Sequence, residues 1–600
     1  MEHICFIHSL IQGKYVLGRR MGGQGGAVMD SKVLVNIGEQ RFDKMVGDKK
    51  FYIDKTGFIR EWWDSGADVT LITRPRRFGK TLNMSMVECF FSNQYADRGE
   101  LFEGLSVWDE KTPEGEYRFR ELQGTFPVIF VSFASIESPT YKGMLYQISE
   151  EVSILYARNR YLLEGNVLSE SERKYYDSIV PGIDGETAVG AIKMMAGFLY
   201  RYYNKKVMIL LDEYDTPMQM AWLHGYWDQA VLFFGSLFGA TFKNNPFLYR
   251  GLITGITRVA KESIFSSLNN PDVVTTTSGE YAKYFGFLEE EVFAALDAAG
   301  LGSEKQGVKK WYDGFTFGSY SDIYNPWSIA SFIKKDGIYD TYWANTSSNS
   351  LVSSLVQTGN PEIKKMMEDL LQGGSIRTEI DEQIVFNQLD GDVSAVWSLL
   401  LATGYLRVRK LEYVGERKRK VYTLALTNME VEGMFDKMVR GWFRGDAGVY
   451  YNEFIRALLN DNIRKMNTFM NKVALNTFSS FDSGNKPSDQ AEPERFYHGF
   501  VLGMVVNMAD TYKVRSNRES GYGRYDVMIE PLDRGGKAFI FEFKVLDADE
   551  DEVTLEDTLA NAHTQIEEKQ YEAELVAEGF APEQIRKYGF AFQGKKCLIG

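Results

Sequence analysis

Five β-branched or apolar residues, Val69-Thr70-Leu71-Ile72-Thr73, run into Arg-Pro-Arg-Arg-Phe and then into Gly79-Lys80-Thr81, and a helical stretch starts at about Leu82. No other stretch restricts the fold so strongly. A strand, a loop, Gly-Lys-Thr and a helix make a phosphate cradle: backbone N–H groups and a helix N-terminus converge on the anion. The lysine reaches the β- and γ-phosphates and the Ser/Thr hydroxyl binds Mg²⁺. The pattern G-x-x-x-x-G-K-[ST] asks for a further glycine where this chain has Arg74. The loop is therefore either a modified cradle or a basic turn, and the rest of the chain must decide.

The surrounding segments fit a cradle. "ADVTLIT" (Ala67–Thr73), "FPVIFVSF" (Phe126–Phe133), "KVMILLDEY" (Lys206–Tyr214) and "FLYRGLITGI" (Phe247–Ile256) are apolar runs separated by longer helical stretches. Such runs mark buried, mostly parallel strands, and ligands in that architecture bind at the strands' carboxyl ends. Asp212 and Glu213 end the third run, where an acid would hold Mg²⁺ through its water shell and its neighbour would polarise the attacking water. A solvated strand end is the structural alternative. Thr254, Thr257 and Arg258 end the fourth run. A threonine there senses the γ-phosphate or caps a helix, and an arginine stabilises transition-state charge.

Six hundred residues call for two to four domains. Residues 1–34 read as a disordered arm or a misassigned start, with neither the n-region nor the cleavage site of a signal peptide. An α/β region spans 35–275, and a mainly helical one spans 276–475. In the latter, "VWSLLLATGYLRVRKLEYVGERKRKVYTLALTN" (Val396–Asn428) reads as a helix and a hairpin, a winged-helix-like unit. "NTFSSFDSGNKPSDQAEPE" reads as a linker over 476–493, and α/β character returns over 494–600. Cys5, Cys89 and Cys597 are too far apart for a disulfide framework, and with five histidines a zinc enzyme is not expected. No apolar run reaches the ~18 residues of a membrane span. A reducing cytoplasm is the expected location. The net charge of −14 argues against non-specific coating of nucleic acid but leaves room for a local basic groove.

The last region carries its own chemistry. Asp526 lies in "YDVMIEP" (Tyr525–Pro531), and Glu542 and Lys544 lie in "KAFIFEFKV" (Lys537–Val545). Strand alternation puts Glu542 and Lys544 on one face and Phe541 and Phe543 on the other, toward a core. Two carboxylates and a lysine suit Mg²⁺-dependent phosphodiester hydrolysis. A salt pair on a solvated face is the alternative. The helix "ERFYHGFVLGMVVNMA" brings Glu494 as a further carboxylate, its Phe496, Tyr497 and Phe500 read as core, and His498 reads as structural. A charged helix is expected from about Thr554 to Glu578.

"YIDKT", "LITRPRRFGKT", "LLDEYD", "GITRVAKESIFSSLNN", "WYDGF" and "YNPWSI" together resemble the bacterial AAA-ATPase-like family that carries a C-terminal PD-(D/E)XK nuclease domain. The likeness runs from about residue 35 to the end. It implies a P-loop ATPase whose loop reads R-P-R-R-F-G-K-[ST], so that Arg74 belongs to the pattern. Arg74, Arg77, Gly79, Lys80, Thr81, Asp212, Thr254 and Arg258 would stand at the nucleotide, with Glu213 catalytic and Thr81 and Asp212 at the metal. Asp526, Glu542 and Lys544 would be the nuclease site, with Glu494, Asp526 and Glu542 as metal ligands. Gln565 and Tyr571 are similar to a Gln and a Tyr that follow the core in some related nucleases, at a spacing other than Q-x-x-x-Y. Asp54-Lys55-Thr56 is a family hallmark, and Asp54 reads as an N-cap for "GFIREWW". The expected ligands are ATP and Mg²⁺, and the expected partners are nucleic acid, DNA foremost, and further copies of the chain. The rival is a nucleotide-gated scaffold whose nuclease fold does not cut.

Overall fold

The computed structural model describes residues 15–16 and 35–600 apart from 165, 259–270, 345–349, 359–360, 382–388, 390–391, 443–445, 482–490, 521–522 and 548–551. For 15–16, 350, 354, 358, 361, 446–448, 475–481, 491–498, 517–520 and 523–525 only the backbone is described.

Five strands form the first sheet: β1 (Val69–Thr73), β2 (Val128–Ser132), β3 (Val207–Asp212), β4 (Leu248–Gly255) and β5 (Asp272–Val274). Their order is β2-β3-β4-β1-β5 and every pairing is parallel. β1 and β3 are buried at every position, as apolar strands covered on both faces must be. β5 was not anticipated, because three residues are too short for a pattern to register. The order matters for chemistry. β4 lies between β1 and β3, so the tip of β4 stands between the phosphate-type loop after β1 and the acids after β3. The helix after the loop, α1 (Lys80–Phe91), begins two residues earlier than the sequence suggested. Within the expected arm, Tyr15–Val16 pairs antiparallel with Tyr52–Ile53, and the rest of 1–34 lies outside the described residues.

The middle of the chain is helix-rich, with two three-stranded antiparallel sheets. One joins Phe287–Leu288, Phe315–Phe317 and Tyr320–Tyr324. The other follows α2 (Pro361–Leu371). It pairs Ile376–Thr378 with a hairpin, β6 (Leu406–Val414) and β7 (Arg419–Leu426), that comes after α3 (Val393–Ala402). Gly415, at φ +72°, opens the hairpin turn. This is the helix-and-hairpin unit expected from Val396–Asn428. Its helix is not free, however, because Trp397 and Leu399–Leu401 are buried in the core shared with the first sheet. Helix α4 (Met429–Trp442) follows.

The C-terminal sheet has β8 (Tyr512–Ser520), β9 (Gly523–Pro531), β10 (Ala538–Val545), β11 (Ile585–Gln593) and β12 (Lys596–Ile599) in that order, preceded by α5 (Ala491–Met508). Only β10 and β11 pair in parallel. Two helices assigned by sequence to the middle region, Asp446–Leu459 and Ile463–Phe481, belong to this core instead. Tyr451, Phe454, Met466 and Met470 cluster with Phe500, Phe541 and Phe590. Asn467 exchanges hydrogen bonds with the backbone of Ile599 at 2.7 and 2.8 Å. The expected linker also shrinks. Its start, Asn476–Phe481, stays helical because no glycine or proline intervenes before Gly484. Its end is already α5, where Pro493 occupies the first turn and its missing N–H is no loss. The charged helix expected over Thr554–Glu578 is broken: α6 (Leu555–Glu568) stops, Gln570 takes φ +50°, and a short helix resumes at Ala573. The break lets Tyr571 turn inward to 1 % exposure. Among the described residues, no helix is long and apolar enough to cross a membrane.

Candidate functional site

At the carboxyl ends of β1 and β3 lies a cleft of about 380 Å³. One end is the loop. Gly79 has φ +82° and opens α1 in a conformation that a side chain would strain. Lys80 is buried, and its Nζ donates to the carbonyls of Arg74 and Pro75, each at 3.1 Å, and pairs with Glu213 at 3.3 Å. Thr81 Oγ1 donates to Asp212 Oδ2 at 2.7 Å, and Thr254 Oγ1 donates to Asp212 Oδ1. Burial, then the neighbouring Glu213, pushes the Asp212 carboxyl up to about 6, against its bonds from Thr254 and Thr81 and the charge of Lys80. Glu213 itself sits at φ +52°, a conformation non-glycine residues avoid and one that turns its side chain off the sheet toward Lys80. The other end of the cleft is apolar, with Phe51, Ile53, Phe287 and Trp327 among its lining. A phosphate-facing end with an aromatic end suits a nucleoside triphosphate.

The second site lies on β9 and β10. Asp526 stands one step past the paired residues Val527 and Phe541, and its Oδ2 accepts from Phe543 N at 2.7 Å. Glu542 is 3 % exposed. Its Oε1 accepts from Gln565 Nε2, while its buried Oε2 meets no hydrogen-bond donor among the described residues. Burial, then the Asp526 charge, pushes this carboxyl up to about 8, against Lys544 and Gln565. A buried carboxylate oxygen without a donor, beside a second carboxylate, is a fit for a hard cation. Phe541 and Phe543 pack on Phe590 with centroids 4.8 and 4.7 Å away, on the core side as alternation requires.

Residues 36–265 match the family model described as "Predicted AAA-ATPase", and residues 492–600 match the model described as "PD-(D/E)XK nuclease superfamily". The chain joins an AAA-ATPase-like region to a PD-(D/E)XK nuclease-superfamily region. It is also similar to a protein of Azotobacter chroococcum mcd 1, "Uncharacterized protein in vnfD 5'region", with 23% identity over 530 residues, 86% of this chain and 90% of the relative.

In the AAA-ATPase-like region the arginines of the loop divide. Arg74, expected at the nucleotide, faces the interior and is fully buried. It donates to the carbonyls of Thr73, Thr275 and Glu280, and its guanidinium lies 4.4 Å from the Phe317 ring centroid. Burial lowers it to about 9. Its reach is spent on backbone of the segment after β5, so it braces the loop from behind. Arg77 does line the cleft, stacked 4.2 Å over Trp327. Arg258, also expected at the phosphate, lines instead a crevice with Thr275, Asp381 and Ser398 against α3. Thr257 is engaged by Asp215, to which it donates through N at 2.8 Å and Oγ1 at 2.7 Å. Asp215 is thus the buried acid that shapes the β4 tip, and sequence reasoning had passed over it. Gly255 is needed there, because a Cβ would come within 2.6 Å of Asp215 Oδ1.

Of the motifs that sequence left without a role, Lys55, Pro326 and Trp327 line the cleft, and other members brace the loop or its neighbours from outside it. Asn325 caps its own helix through Oδ1 and donates through Nδ2 to Arg76 O at 3.3 Å; Trp343 Nε1 donates to the same carbonyl at 3.0 Å. Phe315 of "WYDGF" packs edge-on to Phe78, 4.8 Å between centroids. Asp54 is not the expected cap of Gly57–Ser65: it binds Thr56 N and Oγ1 and holds Ser106 N at 2.8 Å. Lys55 makes a buried ion pair with Glu291 at 2.6 Å. In the nuclease-superfamily region, Gln565 donates to both Glu542 and Tyr571, the latter at 3.0 Å, so the unusual spacing still converges. The side chains of Glu494, Phe496, Tyr497 and His498 lie outside the described residues.

Proposed function

We propose that the chain binds and hydrolyses ATP in the cleft and cleaves nucleic acid, DNA foremost, at the second site, the first event gating the second. One observation carries this reading: on one chain, the Lys80–Glu213 and Thr81–Asp212–Thr254 contacts stand in a cleft sized for a nucleotide, while Glu542 keeps a buried oxygen without a donor beside Asp526. In the cleft, Lys80 brings positive charge to the β- and γ-phosphates, Glu213 orients water, and Phe51, Phe287 and Trp327 enclose the base. Thr81 and Asp212 would hold Mg²⁺ there, and Asp526 and Glu542 would hold it at the second site. When bound, the ion neutralises phosphate oxygens and lowers the pKa of attacking water. Lys544, on the same face of β10 as Glu542, stabilises charge on the phosphorus-bound oxygens. Gln565 fixes the Glu542 rotamer, and Tyr571 fixes Gln565.

The test uses full-length protein with ATP, Mg²⁺ or Mn²⁺, and double- and single-stranded DNA. Lys80→Ala should abolish ATP turnover, and turnover unchanged by it would refute the assignment of the cleft. Asp526→Ala should abolish metal-dependent cleavage and leave ATP binding intact. Wild-type protein that hydrolyses ATP but cuts nothing under any metal or nucleotide condition would favour a nucleotide-gated scaffold.

A further inference from the structure

A second cavity, of about 310 Å³, opens among the helix Lys305–Tyr312, the C-terminal end of α2, the β6–β7 hairpin and the N-terminus of α4. It shares no lining residue with the nucleotide cleft. Lys310, Arg407 and Arg409 face it, with Asp313, Asn428 and Glu432. Its wall is built at close tolerance. Gly314, at φ +120°, passes so near β7 that a Cβ would lie 2.2 Å from Thr427 O and 3.2 Å from Arg407 Nη1. Any side chain there would collide with the Thr427 carbonyl and press on the arginine.

Two buried donors in this cavity stand unpaired among the described residues, against one unpaired buried acceptor, Asp313 Oδ1. Asn428 is 7 % exposed; its Oδ1 caps α4 by accepting from Val431 N at 3.1 Å, and its buried Nδ2 meets no acceptor among the described residues. Arg407 Nε is buried too, without an acceptor among the described residues. A buried N–H left unpaired costs about 1–3 kcal/mol, so two in one cavity point to something that accepts from them. The 14-residue α4 begins here, adding the partial positive charge of its N-terminus. The opposing carboxylates are weak counter-charges. Burial pushes Asp313 up to about 7 and raises Glu432 as well. Lys309, at the rim, is already taken by Glu289 and Asp322.

We infer that this cavity binds a phosphate group, held by Arg407, Lys310 and the Asn428 amide at the N-terminus of α4. Several acceptor oxygens on a compact anion match a guanidinium fork, an ammonium and an amide N–H together. The phosphate comes either from a free nucleotide or from a nucleic-acid backbone. The same hairpin carries exposed Arg409, Arg417, Lys418 and Lys420, which gives a polymer further contacts. The inference does not depend on either proposed reaction.

The test uses full-length Lys80→Ala protein, which silences the nucleotide cleft, without divalent metal. It is titrated separately with ATP and with a fluorescent 20-nucleotide DNA. Lys310→Glu and Arg407→Gln are then added one at a time. Lys310 is exposed, so its replacement leaves folding intact, and thermal melting checks Arg407→Gln. Each change should weaken binding about tenfold, the worth of one charge-assisted hydrogen bond. A loss confined to DNA assigns the phosphate to a backbone, and a loss for ATP assigns it to a free nucleotide. Affinities that move less than twofold for both ligands, or binding of neither, would overturn the inference.

Discussion

Glu430 shows how far a single residue is bent by where the chain puts it. It lies in the first turn of α4 with 0 % exposure, accepting from Ser328 Oγ at 2.8 Å and from the backbone N of Trp343. Burial outweighs those bonds and pushes it up to about 7. The folded protein therefore holds a proton that the unfolded chain releases near the ordinary value of 4.5. This group's contribution is complete below that value, falls as pH rises toward 7, and is flat above. The loss amounts to roughly 3 kcal/mol over the window. Glu430→Gln should remove that slope. Denaturant unfolding at pH 5 and pH 8 should show the variant gaining about that much relative to wild type, and parallel curves would contradict the account. Arg74 shows why residue roles were only partly legible. Lys80, Thr81, Asp212 and Glu542 follow from a strand and the turn after it, which are local. Arg74 looked like one more phosphate ligand, and its true partners, Thr275, Glu280 and Phe317, lie some 200 residues on in sequence, where no local pattern reaches. Asp215 was missed for the same reason: its neighbours on β4 become visible only once the strand order is known.

At the level of elements, four strands of the parallel sheet were readable as continuous apolar runs, and the β6–β7 hairpin and two C-terminal strands, β9 and β10, were readable too, whereas β5, β8, β11 and β12 were not anticipated. The helices Asp446–Leu459 and Ile463–Phe481 were readable as helices but not as part of the second core, because an apolar stripe does not say which sheet it will meet. The Asp-Lys-Thr hallmark was legible as a motif and opaque as a cause. Its lysine joins the segment before the helix Gly57–Ser65 to the helix Glu289–Ala298, which follows the first sheet, and both charges are about 7% exposed. Lys55 also donates to Lys283 O at 2.9 Å, and Glu291 accepts from Leu288 N at 2.8 Å. Removing one partner strands a buried charge at a cost of about 3–5 kcal/mol. Lys55→Met should lower stability by that order in chemical unfolding. The pair Lys55→Met with Glu291→Gln, which keeps the cap on Leu288, should regain most of it. Equal losses in the single and double variants would mean that packing, and not the charge, holds these elements together. Nucleotide affinity should follow stability, since Lys55 and Phe287 line the same cleft.

Across the whole molecule, α2 is the element placed to connect the two regions. Its C-terminal end, at Leu370, borders the cationic cavity, and two residues earlier Glu368 is buried against the nuclease-superfamily sheet. There Glu368 accepts from Ser516 N at 2.8 Å and from Ser516 Oγ on β8. Farther along, Arg440 of α4 donates to Val506 O and Asn507 Oδ1 on α5, each at 3.2 Å. Apolar residues of α5, Leu502 and Val506, join the core that begins at the first sheet. The contact is therefore a packed one, through which a change at one end can bias the other. If nucleotide binding gates the second site, this packed contact is a route for the bias to cross. Glu368→Ala leaves the buried Ser516 N–H without its acceptor, a cost of about 1–3 kcal/mol borne at this contact. ATP turnover should then persist while the thermal midpoint of the C-terminal region stops responding to ATP, and any ATP dependence of DNA cleavage should disappear with it. Ser516→Ala, which keeps the backbone bond and loses only the hydroxyl, should give an intermediate response. A Glu368→Ala protein whose C-terminal midpoint still shifts with ATP as in wild type would show that the coupling runs through another route.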